Sequence, residues 1–351
     1  MNLKLLFGLA IALGSSLTVP ALAEGNPADR YLKAHEAYTG ATCPIADSGI
    51  ANFVYFSRDR DALQGHALLT NARFAGAQVM YSWRNLEPEE GQYDFSEIRA
   101  DVDYLAEHGK TLFIQLQDAT FSPKYKAVPG YLLTDAYDGG VTGQYTDSGS
   151  LEGWVAKRWN AKVEARFASL LKALGDEFDG RIEGINLQET AIGVSAETDA
   201  SFSPDGYVEG IKTNMRALKA AFPKSTTMVY ANFMPGEWLP WEDKGYLRGI
   251  YEFGNEIGVG LGAPDLMVTR KGQLNHALAM MHEMDFAVPL GIAVQDGNYI
   301  GETNSEEVVS ERTNLVPMLH AFAEDFLKVN YMFWVNQDPY FTEDVLPCLA
   351  D

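Results

Sequence analysis

SEIRADVDYLAEHGKTLFIQLQ, residues Ser96–Gln117, holds both halves of a repeating unit. Ser96 followed by acidic residues suits a helix start, and Gly109 suits its stop. Thr111–Gln117 then forms a nearly continuous apolar run. Such a run marks a strand covered on both faces, as in a parallel sheet.

Working outward, the same alternation fills the chain. Short apolar runs occur at Ala51–Ser57, Gln78–Trp83, Thr111–Gln117, Ile182–Gln188, Thr226–Asn232, Gly258–Gly262, Pro289–Gln295 and Tyr331–Asn336. Longer segments with helical spacing separate them: Trp154–Phe178, Gly206–Phe222, Gly272–Met284 and Glu306–Lys328. Strands alternating with helices indicate βαβ units, and eight of them predict a closed (β/α)8 TIM barrel, α/β in class. An open eight-stranded sheet is the competing arrangement. Asn26–Tyr38 is a candidate helix ahead of the first strand. No repeat, linker or second domain interrupts 24–351, which reads as one domain.

Residues 1–23 read as a signal peptide: Lys4, an apolar run from Leu5 to Leu17 too short to span a bilayer, and Ala21-Leu22-Ala23 as a cleavage pattern. The protein is therefore expected to be exported, to the periplasm or extracellular space, with no membrane segment after cleavage. Its net charge of −21 disfavours nucleic acid and anionic membranes as partners. It also makes a strongly anionic polysaccharide a less natural substrate. Cys43 and Cys348 are the two cysteines, near opposite ends of the chain. A closed barrel brings its ends together, so an exported chain should join them in a disulfide. A monomer is expected.

The connection after the third run, 118–153, is long and rich in Gly, Tyr, Asp, Ser and Thr. It leaves the end of the barrel where active sites lie, and reads as a lid over the substrate. No phosphate loop, dinucleotide motif, G-x-S-x-G or zinc spacing occurs. His276 and His282 are six apart, which suits no common metal pair. TDAYDGG lacks most of a calcium-loop pattern. No cofactor or metal is implied.

Strand ends instead offer amides and carboxylates: Gln117, Asp118, Gln188, Glu189, Asn232, Gln295 and Asp296, with Glu237 and Asp265 just beyond. Such groups suit a polyhydroxylated ligand, because each can donate to or accept from hydroxyls. Trp83, Trp238, Trp241, Trp334 and Tyr340 lie nearby, and a pyranose face packs on such rings.

SWRNLEPEEGQYDFSEI, Ser82–Ile98, resembles the second strand and following loop of the clan A glycoside hydrolases, the β-galactosidase-like and cellulase-like families. The resemblance is good over about residues 76–117 and thinner, in register, to residue 340. It implies that Glu87 braces the loop. It also implies that Glu189 is the general acid/base, with Gln188 replacing the Asn that precedes it in those families. Trp334 matches their sugar-platform Trp. At the nucleophile position stands Gln295, which has no carboxylate. Asp296 is the expected second carboxylate, its shorter side chain favouring an inverting mechanism. Trp83, Gln117, Asp118, Gln188, Asn232, Glu237, Asp265, Gln295 and Trp334 are expected to bind substrate. The function expected is cleavage of O-glycosidic bonds in a poly- or oligosaccharide. A disabled glycan-binding barrel and a lyase-type enzyme remain as alternatives.

Overall fold

A computed structural model describes residues 25–350. The expected signal peptide lies outside the described residues. Strands are numbered in chain order: β1 (Ala51–Tyr55), β2 (Phe74–Ser82), β3 (Thr111–Gln117), β4 (Ala119–Thr120), β5 (Val141–Tyr145), β6 (Leu151–Ala156), β7 (Gly184–Leu187), β8 (Thr226–Tyr230), β9 (Gly260–Ala263), β10 (Leu290–Val294) and β11 (Tyr331–Val335). Eight of these close a parallel barrel in the order β1-β2-β3-β7-β8-β9-β10-β11, with β11 pairing back onto β1. Each coincides with one of the eight apolar runs. An open sheet is thereby excluded.

The barrel interior is graded from apolar to polar. Near its floor the rings of Phe53, Phe113 and Phe333 meet, with centroids 5.0 Å apart for Phe113–Phe333 and 5.8 Å for Phe53–Phe113. Phe113 is fully buried, and truncating such a ring typically costs about 3–5 kcal/mol. Glycine is required where the strands crowd these side chains: a Cβ on Gly184 would stand 2.7 Å from the Phe113 ring, and one on Gly291 2.7 Å from Met228. Higher up, Gln78 Nε2 donates to Asn186 Oδ1 (2.9 Å) and to Tyr230 Oη (3.0 Å). A polar layer thus sits directly beneath the strand ends.

Helices cover the outside. Ser96–Glu107 buries Ile98, Val102 and Leu105. Ala161–Phe178 begins at Asn160, whose side chain accepts from the backbone of Lys162 and Val163. Pro204–Ala221 begins at Ser203, which accepts from Gly206 N. Tyr246–Ile257 completes the longer set.

Several expected helices are shorter than their apolar spacing implied. Trp154 is not helical: Leu151–Ala156 is the central strand of a small antiparallel sheet ordered β4-β6-β5. A pairing partner far along the chain overrides the local pattern there. The expected lid is therefore a built β-structure from 119 onward, interrupted by 3-10 turns. The segment 306–314 is also not helical. Pro317 cannot sit inside a longer helix without losing a hydrogen bond, and it falls in the first turn of Leu315–Ala321. The 272–284 helix breaks at His276, whose backbone leaves the helical region. Asn26–Tyr38 forms two 3-10 turns rather than a helix. They pack outside the barrel, Tyr31 against His282 and Phe326.

Cys43 and Cys348 form a disulfide with Cα atoms 4.6 Å apart, closing a sequence separation of 305 residues. The adjacent Ile45 N donates to Cys348 O (2.8 Å). Among the described residues, no helix is long and apolar enough to cross a membrane.

Candidate active site

Parallel strands all end on one face of the barrel, so residues just past their ends converge there. A cavity of about 200 Å³ opens at this face, lined by Tyr55, Gln115, Gln117, Gln188, Glu189, Gln295 and Asp296, with Phe121 and Asn304 from the covering loops. A contiguous recess of about 130 Å³ shares Glu189 and Gln295 and adds Glu152 and Asp265. A larger hollow of about 430 Å³ lies at the opposite end, around Met281, Phe286, Lys328 and Asn330. It gathers no comparable set of amides and acids.

Glu189 follows the end of β7 and joins both upper cavities. Its Oε2 accepts from Asn232 Nδ2 (2.7 Å), and Asn232 Oδ1 in turn accepts from Ala191 N (3.1 Å). That second bond fixes which end of the amide faces the carboxyl. Burial pushes the Glu189 carboxyl up to about 8, and the nearby charge of Asp265 adds to the rise. The Asn232 hydrogen bond and Arg158 oppose it. That shift favours the protonated form of Glu189 near neutral pH.

Arg158 organises the ground beneath. Its guanidinium grips Asp118 with two bonds, 2.7 and 2.6 Å, and donates from Nη1 to Glu189 O (2.8 Å) and to Tyr207 Oη (2.9 Å). Both members of this pair are buried. Sequence reading missed Arg158 because its role comes from a partner 40 residues away, and nothing in its local context marks it.

The remaining candidates divide. Gln188 Oε1 accepts from Asp118 N (2.9 Å) and Ala119 N (2.8 Å), so only its NH2 group is left for another partner. Gln115 and Gln117 are buried, yet their Oε1 atoms lack hydrogen-bond partners. Those two oxygens are shut off from solvent, so Gln115 and Gln117 meet the cavity with other atoms. Gln295 lies on the inward face of β10, the face that Gly291 presents to Met228 and Phe333. Asp296 also lines the cavity, with its carboxyl raised by partial burial and by Glu306. Asp265 accepts from Asn298 Nδ2 (2.9 Å), and burial raises its carboxyl as well.

Four expected substrate contacts sit elsewhere. Trp83 is fully buried against Phe167, with its Nε1 donating to Glu87 Oε2 (2.8 Å). Glu87 also accepts from Gly91 N (2.9 Å) and pairs with Arg166, which makes it the brace of its loop. Trp334 is fully buried and donates to Asn52 Oδ1 (2.9 Å). Alternation along β11 puts Phe333 inside and Trp334 on the helix side, so Trp334 cannot floor the cavity. Glu237 accepts from the backbone of Lys244, Tyr246 and Leu247 (2.8–3.0 Å) and anchors the start of Tyr246–Ile257. Asp118 is committed to Arg158.

Solved structures share this architecture. The catalytic domain of a beta-amylase from Paenibacillus polymyxa superposes with a TM-score of 0.56 at 9% identity, covering 84% of this chain and 93% of that one. The endo-glycoceramidase II from Rhodococcus sp., in an iminocyclitol complex, gives 0.52 at 11% identity over 84% and 75%. A GH10 structure from Paenibacillus barcinonensis gives 0.50 at 14% over 89% of both chains. What these structures share with the chain is the closed (β/α)8 barrel. No family model matches the chain, and no curated protein does. The likeness is one of backbone path, and the site must be read from its own residues.

Proposed function

We propose that the protein is an exported glycoside hydrolase acting on a neutral or mildly charged oligo- or polysaccharide, with Glu189 as proton donor. The observation that carries this reading is the state of Glu189. Its carboxyl, pushed up to about 8 by burial, stands at the C-terminal mouth of the barrel, oriented by Asn232, on the wall of a cavity that Gln115, Gln117 and Asp296 also line. Departure of a sugar alkoxide requires a proton at the glycosidic oxygen, and a carboxylic acid that stays protonated at neutral pH supplies it. Asp296 is the second carboxylate in this proposal, activating a water on the far side of the sugar. Asp265 acts through Glu189, its charge helping to keep the acid protonated.

The test is a hydrolysis screen over neutral and mildly charged glycans and aryl glycosides, run beside Glu189→Gln. Wild-type turnover with a loss of about 10²–10⁴-fold in the variant is expected, the usual worth of general acid/base catalysis. Turnover that survives Glu189→Gln unchanged refutes the assignment. NMR of the first-formed anomer should show inversion.

Gln295 favours a second reading. It occupies the inward position at the end of β10, where an amide can bind hydroxyls but cannot attack an anomeric carbon. A barrel that binds glycan without cleaving it would show no turnover in the screen. It would gain turnover in Gln295→Glu, whereas the same change in a working inverting enzyme should lower it.

A further inference from the structure

We propose that the loop Glu237–Lys244 is a platform for a neutral glycan chain leaving the cavity beside Glu189, so that the substrate is a polymer. This rests on the glycan reading above and adds a second place of contact to it.

Trp238 and Trp241 are 52% and 58% exposed, the most exposed of the large hydrophobic side chains among the described residues. Single exposed apolar residues are ordinary. Two tryptophans three residues apart, on a loop fixed from several sides, are not. Glu237 is buried and holds three backbone N–H groups on the loop's far side. His276 Nε2 accepts from Leu239 N (3.0 Å). The turn closes on itself through Glu242 N to Trp238 O (2.7 Å) and Trp241 N to Trp238 O (3.0 Å). The Trp238 ring stacks on Phe233 at 5.7 Å, with planes 12° apart, and meets His276 at 4.9 Å. The Trp238 ring is thus held in place, the Trp241 backbone is fixed beside it, and the outer surfaces of both side chains stay in water. Preorganised aromatic area binds with little loss of side-chain freedom.

The platform follows in the chain from the residue that holds the acid. Phe233 directly follows Asn232, which holds the Glu189 carboxyl, and Trp238 stacks on Phe233. The ring stack and the Asn232–Glu189 bond thus issue from one segment, the stretch that follows β8 at the end of the barrel where the strands finish. The surroundings select its charge. Glu242 and Asp243 are exposed beside Trp241, and the whole chain carries −21. Both repel a polyanion, whereas the apolar face of an uncharged pyranose meets no such penalty.

Native gels cast with mixed-linkage β-glucan, arabinoxylan, galactomannan, soluble starch or polygalacturonate test this with the full mature chain. Wild-type and Glu189→Gln protein should both be retarded by at least one neutral polymer and not selectively by polygalacturonate. Trp241→Ala and Trp238→Ala should each weaken that retardation about tenfold in apparent Kd. Trp238→Phe, which keeps the stack, should restore most of it. Thermal melts of the variants check that the fold survives. Retardation by none of the neutral polymers overturns the proposal, as does retardation unchanged in the double Ala variant. Self-association of the wild type on sedimentation, lost in that variant, would mark the patch as a protein contact and overturn it too. Failure of the acid assignment reads out separately, as turnover surviving Glu189→Gln with retardation intact.

Discussion

Replacing Glu189 by Gln should stabilise the protein, and only at high pH. The carboxyl is pushed from 4.5 to about 8 by burial and by Asp265. In the unfolded chain it titrates near its ordinary value. Below about pH 4.5 both states are protonated and nothing is lost. As pH rises through 8 the folded state must either hold an unfavourable charge or keep a proton that the unfolded chain has released. Stability therefore falls across the window from about pH 4.5 to 8. At 1.36 kcal/mol per pH unit the full span corresponds to roughly 4–5 kcal/mol. Glu189 reaches water through the cavity, and screening there reduces the expectation to about 2–3 kcal/mol. Gln has the shape of the neutral acid, and its Oε1 can still accept from Asn232 Nδ2. Urea unfolding of wild type and Glu189→Gln at pH 4 and pH 8.5 measures the difference. The variant should match wild type within about 0.5 kcal/mol at pH 4 and exceed it by about 2–3 kcal/mol at pH 8.5. Equal differences at the two pH values, or a variant weaker at pH 8.5, would refute the reasoning. Turnover in the wild type should decline on the alkaline side near pH 8 for the same reason.

Three further outcomes follow from the packing. Arg158→Met should cost about 3–5 kcal/mol by stranding buried Asp118, and adding Asp118→Asn should recover part of that; a loss under 1 kcal/mol in a urea titration would contradict a buried pair. Cys43→Ser with Cys348→Ser should lower stability by about 2–5 kcal/mol, read as a shifted denaturation midpoint that added reductant reproduces in the wild type. Trp334→Phe leaves Asn52 Oδ1 without its donor and should cost about 1–3 kcal/mol with turnover on an aryl glycoside unchanged; a fall in kcat at full stability would put Trp334 back at the substrate.

The barrel was legible because it rests on local rules. Eight buried strands must each be apolar, and a parallel connection needs a covering helix, so the pattern of runs carries the topology. Where one stretch met a remote partner the local pattern misled. Trp154 has helical neighbours in sequence, but pairs in the sheet with β4 and β5. That Glu189 and Gln295 lie at strand ends could be read along the chain, whereas which of Gln295 and Asp296 turns inward depended on where β10 ends.

What the sequence determined by itself is the list of polar groups carried to one end of the barrel and the two cysteines free to close it. Tertiary structure decided how those groups are spent. Asp118 and Glu237 look like open carboxylates in sequence, yet Arg158 and the 244–247 backbone consume them. Trp83 and Trp334 look like platforms, yet Glu87 and Asn52 hold them in the core, while Trp238 and Trp241 stay in water. The reason is physical. A hydrogen bond or ion pair depends on distance and burial, and both are set by residues tens to hundreds of positions away, such as Asn52, which is 282 residues from Trp334.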